Sequence, residues 1–418
     1  MQGTIKLLGR ESVWSGGSPE RDRIKQMENP TKKIPGNVLI LGFVALASGL
    51  GQDLITPVLP AYLTLLGVST AGIGLIDGIL QGATSFFRFV SGMLSDRYQN
   101  RKRFVFLGYA LSSIARPLLA LAGAFVPIAF LRTVDGMGKG MKDAPRDALV
   151  ADSTNAKAHG RAFGFHRLVD TAGSILGPLL AGMILLLLTP TLGSYRTIFA
   201  LSAIPGAATL CLIWFGIREK SAPTRQRLAG LKRLPWTFWI FTLGTAVAML
   251  TKVNDSLFLL RAQGAGVSLA WIPFLFAGFT LVYAACAYPI GTWSDKRGKL
   301  PFIATGWLFL GGVELLLSTT TTVPLMLGAF VFYGLFYALT EGSGRAFIAD
   351  IIPTELRGSA YAVFHTIVGL SVIAGGFSIG RLWDSVSPSF AFQIAAMGSF
   401  LAFLVFFSLT LKKHGHEF

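Results

Sequence analysis

A chain of 418 residues that is 52% hydrophobic and only 14% charged is not a soluble globular protein, because such domains carry about 25% charged residues. Its mean hydropathy of +0.58 indicates that most of its surface faces lipid. The formal net charge of +16 does not indicate nucleic-acid binding, because the Lys and Arg residues fall mainly between apolar runs, as they do in loops that face anionic lipid.

The chain opens with a polar segment, from Met1 to about Gly36, which we predict to be a cytosolic tail. Since the first apolar run begins only near Pro35, no cleavable signal peptide is predicted. A run of about 20 apolar residues spans a bilayer core of about 30 Å, and long runs without alternation favour helices over barrel strands. Twelve transmembrane helices are predicted, at 37–64, 68–95, 104–124, 126–152, 161–189, 195–217, 235–262, 268–293, 301–319, 323–350, 358–381 and 387–411.

Lys and Arg residues concentrate in the segments after the second, sixth and eighth predicted helices and in the C-terminal tail. Loops rich in these residues face the cytoplasm, so we predict a multi-pass protein of the inner membrane with both termini cytoplasmic. The longest interior polar stretch, about Arg218 to Pro235, has six predicted helices on each side. The predicted organisation is a tail (1–36), a six-helix bundle (37–217), a linker (218–234), a second six-helix bundle (235–411) and a tail (412–418).

A sequence repeat supports the division into two halves. The segment 92–97, Gly-Met-Leu-Ser-Asp-Arg, recurs at 291–296 as Gly-Thr-Trp-Ser-Asp-Lys, 199 residues later. The segment Ala-Leu-Val-Ala-Asp152 recurs as Ala-Phe-Ile-Ala-Asp350, 198 residues later. Corresponding pieces at one spacing indicate two parallel six-helix repeats, related by an axis along the membrane normal.

Four segments carry a family resemblance. The pattern Gly-x-x-x-Asp-(Arg/Lys)-x-Gly-(Arg/Lys) resembles the loop signature of the major facilitator superfamily; 291–299 fits it, whereas the first copy has Gln99 and Asn100 at the expected Gly and Arg positions. In the fourth helix, 132–138 (Arg-Thr-Val-Asp-Gly-Met-Gly) resembles the family's Arg-x-x-Gln-Gly-x-Gly element, with Asp replacing Gln. In the fifth, 173–178 (Gly-Ser-Ile-Leu-Gly-Pro) resembles the Gly-x-x-x-Gly-Pro element associated with antiporters of drugs and protons.

The resemblance covers essentially the whole membrane portion. It implies an all-α membrane protein of two pseudo-symmetric six-helix bundles, acting as a monomer. It also implies a central cavity, lined chiefly by helices 1, 4, 7 and 10, that opens alternately to each side of the membrane.

The loop signature is predicted to act as a charged latch. Asp96 and Asp295, with the neighbouring Arg97 and Lys296, can pair across the cytosolic seam between the halves and so favour the outward-open state. The alternative, plain positive-inside anchoring, explains the cations but not the aspartates or the glycines of both copies, Gly92 and Gly291.

The fifth helix contains a second predicted gating element. Gly173 and Gly177 allow another backbone to approach closely, and Pro178 introduces a bend. Ordinary tight packing explains these residues equally well. His166 and Arg167 lie near the cytosolic mouth, where gating and loop anchoring are both consistent with the sequence.

The fourth helix carries an unusual number of charges for a membrane helix. Arg132, Asp135, Lys139, Lys142 and Arg146 follow at steps of three or four residues and therefore share one face, which must point to a cavity or a partner helix. Together with cations from other cavity helices they could form a cationic floor that suits carboxylates, phosphates or an anionic chelate. The candidate substrate residues are Arg132, Lys139, Lys142, Arg146, Lys252 and Arg345. Mutual pairing that holds helices together is the alternative.

Carboxylates on cavity helices are candidates for proton coupling, because a desolvated carboxylate can take up a proton. They are Asp53, Asp135, Asp255 and Glu341. Asp53 and Glu341 are preferred because neither has a cation within four residues on its N-terminal side, although Glu341 is also placed to pair with Arg345.

These observations predict a secondary active transporter that moves a small organic solute by alternating access. Proton coupling is expected, with a preference for an anionic or zwitterionic metabolite or a metal chelate. A proton-driven drug efflux antiporter is the main alternative, and a non-transporting membrane sensor or scaffold is another. The predicted partners are the solute, protons and the lipid bilayer, without nucleic acid. No enzymatic activity, cofactor or metal is predicted, since Cys211 and Cys286 lie inside apolar runs and metal-ligand spacing is absent.

Overall fold

The structure is a computed structural model that describes residues 34–98, 100–154, 159–218, 234–319, 322–353 and 356–414, with the side chains of 89, 92–98, 159–160, 357–359, 362 and 412–414 left aside. Most of the predicted N-terminal tail and linker lies outside these ranges. Every regular element among the described residues is a helix. The α-helices are α1 (Gly36–Asp53), α2 (Leu59–Leu65), α3 (Thr70–Tyr98), α4 (Arg101–Leu118), α5 (Phe125–Asp152), α6 (His159–Leu187), α7 (Leu192–Leu201), α8 (Ala203–Cys211), α9 (Trp236–Thr251), α10 (Asp255–Gly264), α11 (Ile272–Arg297), α12 (Lys299–Thr319), α13 (Val323–Ile351), α14 (Arg357–Ser385) and α15 (Pro388–His414).

Within the described residues, ten helical spans are long and apolar enough to cross a membrane. Neither α3 nor α5 is among them, although both are as long as the others. Both carry charged residues within the membrane portion, and α3 packs along α5 on one side and α14 on another. These two helices therefore tolerate their charges because protein surrounds them.

Two helices predicted to be continuous are interrupted, and the prediction was wrong at those points. The span 37–64 breaks between Asp53 and Leu59, where Pro57 and Pro60 provide no backbone N–H. The span 235–262 breaks after Thr251, and the Asn254 side chain caps the new helix by accepting a hydrogen bond from the Leu257 N–H (3.1 Å).

The predicted span 195–217 is found as one membrane-spanning segment, Leu192–Gly216, with local irregularities in its helix. It is divided into α7, α8 and a final π-turn, Leu212–Gly216. The remaining predicted spans match observed helices, with ends that differ by a few residues.

The apolar core is divided between the two halves of the chain. One cluster of buried side chains is drawn from residues 234–406. Two further clusters come from residues 38–217, apart from Ala270. Each half therefore buries most of its own apolar surface, and the most extensive contact between the halves is the packing of α3 on α14.

The sequence repeat is also a repeat of contacts. In the first half, Arg101 at the start of α4 pairs with Asp152 at the end of α5. In the second half, Lys299 at the start of α12 lies 3.5 Å from Asp350 at the end of α13. Positions 101 and 299 are 198 apart, as are 152 and 350, so the two repeats use the same ion pair at the same place.

The halves are closed against each other on one side of the molecule. We call this the far side, and the side where α1 begins and α15 ends the terminal side. At the far end of α3, Gly74 and Gly376 of α14 pack backbone against backbone, so that a Cβ on either would collide with the other's carbonyl oxygen. The Asp384 carboxylate of α14 accepts hydrogen bonds from the N–H groups of Thr70 (3.1 Å) and Ala71 (2.8 Å). A residue of the second half thus caps a helix of the first.

Candidate functional site

A buried charge cluster occupies the middle of the first half. Asp135 lies between two guanidinium groups, with Arg116 Nε at 3.1 Å and Arg132 Nη1 at 3.2 Å. All three side chains are at most 3% exposed. Arg116 also donates to the Ser48 carbonyl at 3.1 Å, which ties the cluster to α1. A carboxylate held by two cations keeps its charge, so the geometry favours pairing over proton transfer for Asp135.

Further along α5, the charged stripe is also largely paired. Asp143 pairs with Arg88 of α3 and lies 3.7 Å from Lys142 Nζ and 3.5 Å from Arg146 Nη1. Arg146 pairs with Asp147 at 3.0 Å. The predicted cationic floor is therefore mostly neutralised by carboxylates of α5 itself.

Lys139 is different from the other cations of the stripe. It is half-buried and makes no hydrogen bond and no ion pair within 4.0 Å with the part of the chain that the structure describes. Its positive charge acts electrostatically on two buried carboxylates. These are Asp135, one turn earlier on α5, and Asp53 of α1.

In the second half, Lys252 sits in the break between α9 and α10. Its Nζ donates to the Tyr333 hydroxyl (3.0 Å) and the Val253 carbonyl (3.3 Å), and Asp255 Oδ1 lies 3.7 Å away. Tyr333 and Tyr337 both donate to Asp255. Lys252 and Asp255, predicted as substrate and proton residues, thus form one aromatic-lined cluster with each other.

Asp53 is the last residue of α1 and is 5% exposed. It accepts a hydrogen bond from Gln52 Nε2 at 3.1 Å and has no ion pair within 4.0 Å among the described residues. Asp53 is thus buried at a helix break, and its role in proton coupling stays a prediction.

Sequence reasoning missed the role of two ionisable residues at equivalent positions. Arg116 of α4 and Glu314 of α12 are 198 residues apart. Arg116 donates to the carbonyl of Ser48 near the end of α1, whereas Glu314 accepts from the Val253 N–H in the break after α9 (3.2 Å). Opposite charges therefore bind opposite backbone groups beside equivalent breaks. The repeat spacing was the available signal.

A series of polar side-chain contacts connects the two halves. It lies on the terminal side of the contacts that close the far side. Arg167 of α6 donates to the Tyr283 hydroxyl of α11, which donates to Glu341 Oε2 of α13 at 2.7 Å. Arg345 pairs with Glu341 Oε1. The Arg167 and Arg345 side chains are each 54% exposed and Glu341 is 32% exposed. We call these four residues the bridging network; they remain accessible while the far side is closed.

Comparison with known sequences gives the family. The sequence profile of the Major Facilitator Superfamily matches residues 41–274 and 240–417, which is most of the chain. The chain belongs to the Major Facilitator Superfamily. The predicted family and the all-α membrane fold are both confirmed.

Individual proteins of this superfamily resemble the chain over most of its length. An uncharacterized MFS-type transporter of Methanocaldococcus jannaschii is 31% identical over 394 residues, covering 92% of this chain and 96% of that protein. The cis,cis-muconate transport protein of Acinetobacter baylyi is 24% identical over 361 residues, covering 81% and 82%. The crystal structure of the nucleoside transporter NupG superposes with a TM-score of 0.71 at 14% identity, covering 89% of this chain and 98% of that one.

The superfamily's Gly-x-x-x-Gly-Pro element packs α6 against α1. A Cβ at Gly177 would lie 2.7 Å from the Leu50 carbonyl oxygen and 2.9 Å from the carbonyl carbon of Asp53, and one at Gly173 would collide with Leu46. Pro178 follows inside the same helix. The element therefore encloses Asp53, and close packing accounts for it.

The superfamily's loop signature is visible in its second copy. Asp295 pairs with Lys299 of its own half at 2.8 Å, and Lys296 is exposed. A Cβ at Gly291 would meet nothing within 4 Å in this conformation. The side chains of Gly92, Asp96 and Arg97 lie outside the described part of the chain, so the latch across the seam stays a prediction.

Proposed function

We propose that this superfamily member transports a small organic anion by alternating access, with protons as the coupling ion. The observation that carries the proposal is the bridging network. It brings two exposed guanidinium groups, Arg167 and Arg345, together from opposite halves of the protein. Guanidinium groups bind carboxylates through paired, charge-assisted hydrogen bonds.

Alternating access is supported by the asymmetry of the contacts between halves. Backbone packing of Gly74 on Gly376 and the cap by Asp384 close the far side, while the Arg167 and Arg345 side chains of the network are exposed. This arrangement corresponds to one end state of a rocking carrier. With the termini in the cytoplasm, as the distribution of Lys and Arg predicts, it is the inward-facing state of an inner-membrane protein.

The anionic substrate is supported by a second feature. Lys139, half-buried on α5, brings a cation to the middle of the first half without an ion pair among the described residues. The relative from Acinetobacter baylyi is named for cis,cis-muconate, a dicarboxylate, which makes that compound the first probe to use.

Proton coupling is supported by two carboxylates, Asp53 and Glu341. Among the described residues, Asp53 is buried and has no ion pair within 4.0 Å, and Glu341 pairs with the exposed Arg345 and accepts from the Tyr283 hydroxyl. Drug efflux has weaker support, because packing around Asp53 already accounts for the Gly-x-x-x-Gly-Pro element.

Proton flux in proteoliposomes loaded with a pH-sensitive dye tests the function. We expect cis,cis-muconate or another small organic anion to drive protons inward together with the anion, and Asp53→Asn or Glu341→Gln to reduce that movement. Lipophilic cations are the matched second panel. Outward proton movement driven by a cation, without a response to any anion, would replace this proposal with drug antiport.

A further inference from the structure

We propose that the substrate anion and Glu341 compete for the same two guanidinium groups, those of Arg167 and Arg345. Binding of the anion then releases Glu341, which takes up one proton. This inference rests on the proposed function above and gives its coupling a specific site and a proton-to-anion ratio of one to one.

The carboxylate of Glu341 is already fully occupied by donors. Its two oxygens are both in use: Oε1 pairs with Arg345, and Oε2 accepts from the Tyr283 hydroxyl, which in turn accepts from Arg167. Glu341 therefore already presents to these donors the carboxylate geometry that a substrate anion would present. The Glu341 carboxylate thus occupies the place in the network that the carboxylate of a substrate would take.

The two guanidinium groups are exposed. Arg167 and Arg345 are the most exposed members of the network, whereas Glu341 is further from solvent. An incoming anion therefore meets the two guanidinium groups before it meets Glu341. Arg167 also lies 3.6 Å from Asp170 of its own helix and donates to the neutral Tyr283 hydroxyl, and a guanidinium group with five N–H donors can bind a further carboxylate beside these partners.

Three cations and a hydroxyl group face Glu341. They are Arg345 on its own helix, Arg167 on α6 and Arg88 on α3, with the Tyr283 hydroxyl on α11. Arg88 is paired with Asp143. Once the anion has taken Arg167 and Arg345, Glu341 is left without an unshared cation in a partly desolvated place, where the neutral carboxylic acid is favoured.

The charges balance in this exchange. Before binding, the two guanidinium groups and the carboxylates of Glu341 and Asp170 sum to zero charge. Afterwards the anion replaces the carboxylate, and Glu341 carries a proton drawn from the water of the open side. No covalent bond between heavy atoms forms or breaks, and the net charge is unchanged when the anion is monovalent.

The exchange also links binding to the two halves. Arg167 belongs to the first half and Arg345 to the second, and at present they communicate through Tyr283 and Glu341. A substrate held by both guanidinium groups would bridge the halves directly and draw them together on the terminal side.

The test is anion binding to the purified full-length protein, with proton uptake counted by calorimetry in buffers of different ionisation enthalpy. The probes are cis,cis-muconate and a panel of small monocarboxylates. For the wild type we expect one proton taken up for each monocarboxylate bound, and an affinity that falls about tenfold per unit rise in pH while Glu341 is ionised in the free protein.

Glu341→Gln is the decisive variant. It removes the competitor, so we expect tighter anion binding that is independent of pH and occurs without proton uptake. Because misfolding cannot increase affinity, this outcome does not depend on a stability control. Arg345→Gln should weaken binding at least tenfold and flatten its pH dependence. Asp350→Asn, which removes a carboxylate at the protein's edge, should behave like the wild type.

The outcomes separate the two proposals. Failure of every anion to bind the wild type would overturn the proposed function and this inference together. Anion binding with proton uptake that persists in Glu341→Gln would leave anion transport standing and overturn the exchange at Glu341.

Discussion

At the scale of residues, ionisable side chains within the membrane portion stabilise interrupted helices. Glu314 is fully buried and uses both oxygens, one for the Val253 N–H in the α9–α10 break and one for the Ser399 hydroxyl at 2.6 Å. A break exposes backbone groups that have no water to bind in a hydrocarbon environment. The carboxylate replaces the hydrogen-bond acceptor that the helix no longer supplies.

Glu314→Ala should therefore destabilise the protein. The Val253 N–H and the Ser399 hydroxyl would lose their acceptor, at a cost of about 1–3 kcal/mol for a buried unsatisfied group. Glu314→Gln keeps an acceptor oxygen and is the matched control, expected to retain most of the stability. Thermal unfolding of both variants in detergent measures the difference; equal unfolding temperatures for Glu314→Ala and wild type would show that the contact contributes nothing.

Residue partners were predictable from the sequence only where they are local. The pairing of Glu341 with Arg345 follows from their spacing of four on one helix. The partners of Asp135 and Asp143 include Arg116 and Arg88, which come from other helices. Spacing on the fourth helix predicted a shared charged face, but which neighbour each charge would meet depends on the order in which the helices pack.

At the scale of elements, α3 and α14 determine the closure of the far side. Gly74 and Gly376 allow their backbones to touch, and Gly78 lies against the backbone of Ile373 one turn further along. Helix lengths followed from hydropathy, which is why most predicted ends were close. The interruptions between α1 and α2 and between α9 and α10 depend on prolines and on the cap by Asn254. The length and mean hydropathy of an apolar run do not reveal either feature.

Gly376→Ala should shift the protein away from the state closed on the far side. Its Cβ would collide with the Gly74 carbonyl oxygen, so the two helices must separate. Gly278→Ala is the control, since a Cβ there meets nothing within 4 Å and brings the same gain in helix propensity. Distances between spin labels on the far ends of the two halves should lengthen in the first variant alone. Equal distance distributions in both variants would contradict the role of this contact.

At the scale of the whole molecule, the two halves share the same arrangement of helices and ion pairs but differ in their other charged residues. The ion pairs of Arg101 with Asp152 and of Lys299 with Asp350 repeat at one spacing, and sequence alone revealed half of that symmetry through the aspartates. The relative position of the halves could not be predicted, because both end states of a carrier are compatible with the same helices. The bridging network was for the same reason only partly visible, since Tyr283 carries no charge to single it out.

The balance of charges in the bridging network has an electrical consequence. If a monovalent anion always travels with one proton on Glu341, each transport cycle moves no net charge, and the membrane voltage neither drives nor opposes it. Wild-type protein on a solid-supported membrane should then give no substrate-dependent current for a monocarboxylate, while Glu341→Gln should move the anion without its proton and produce one. A wild-type current proportional to uptake would contradict this. For the cell, such a carrier would respond to the pH gradient alone and keep working when the membrane is depolarised.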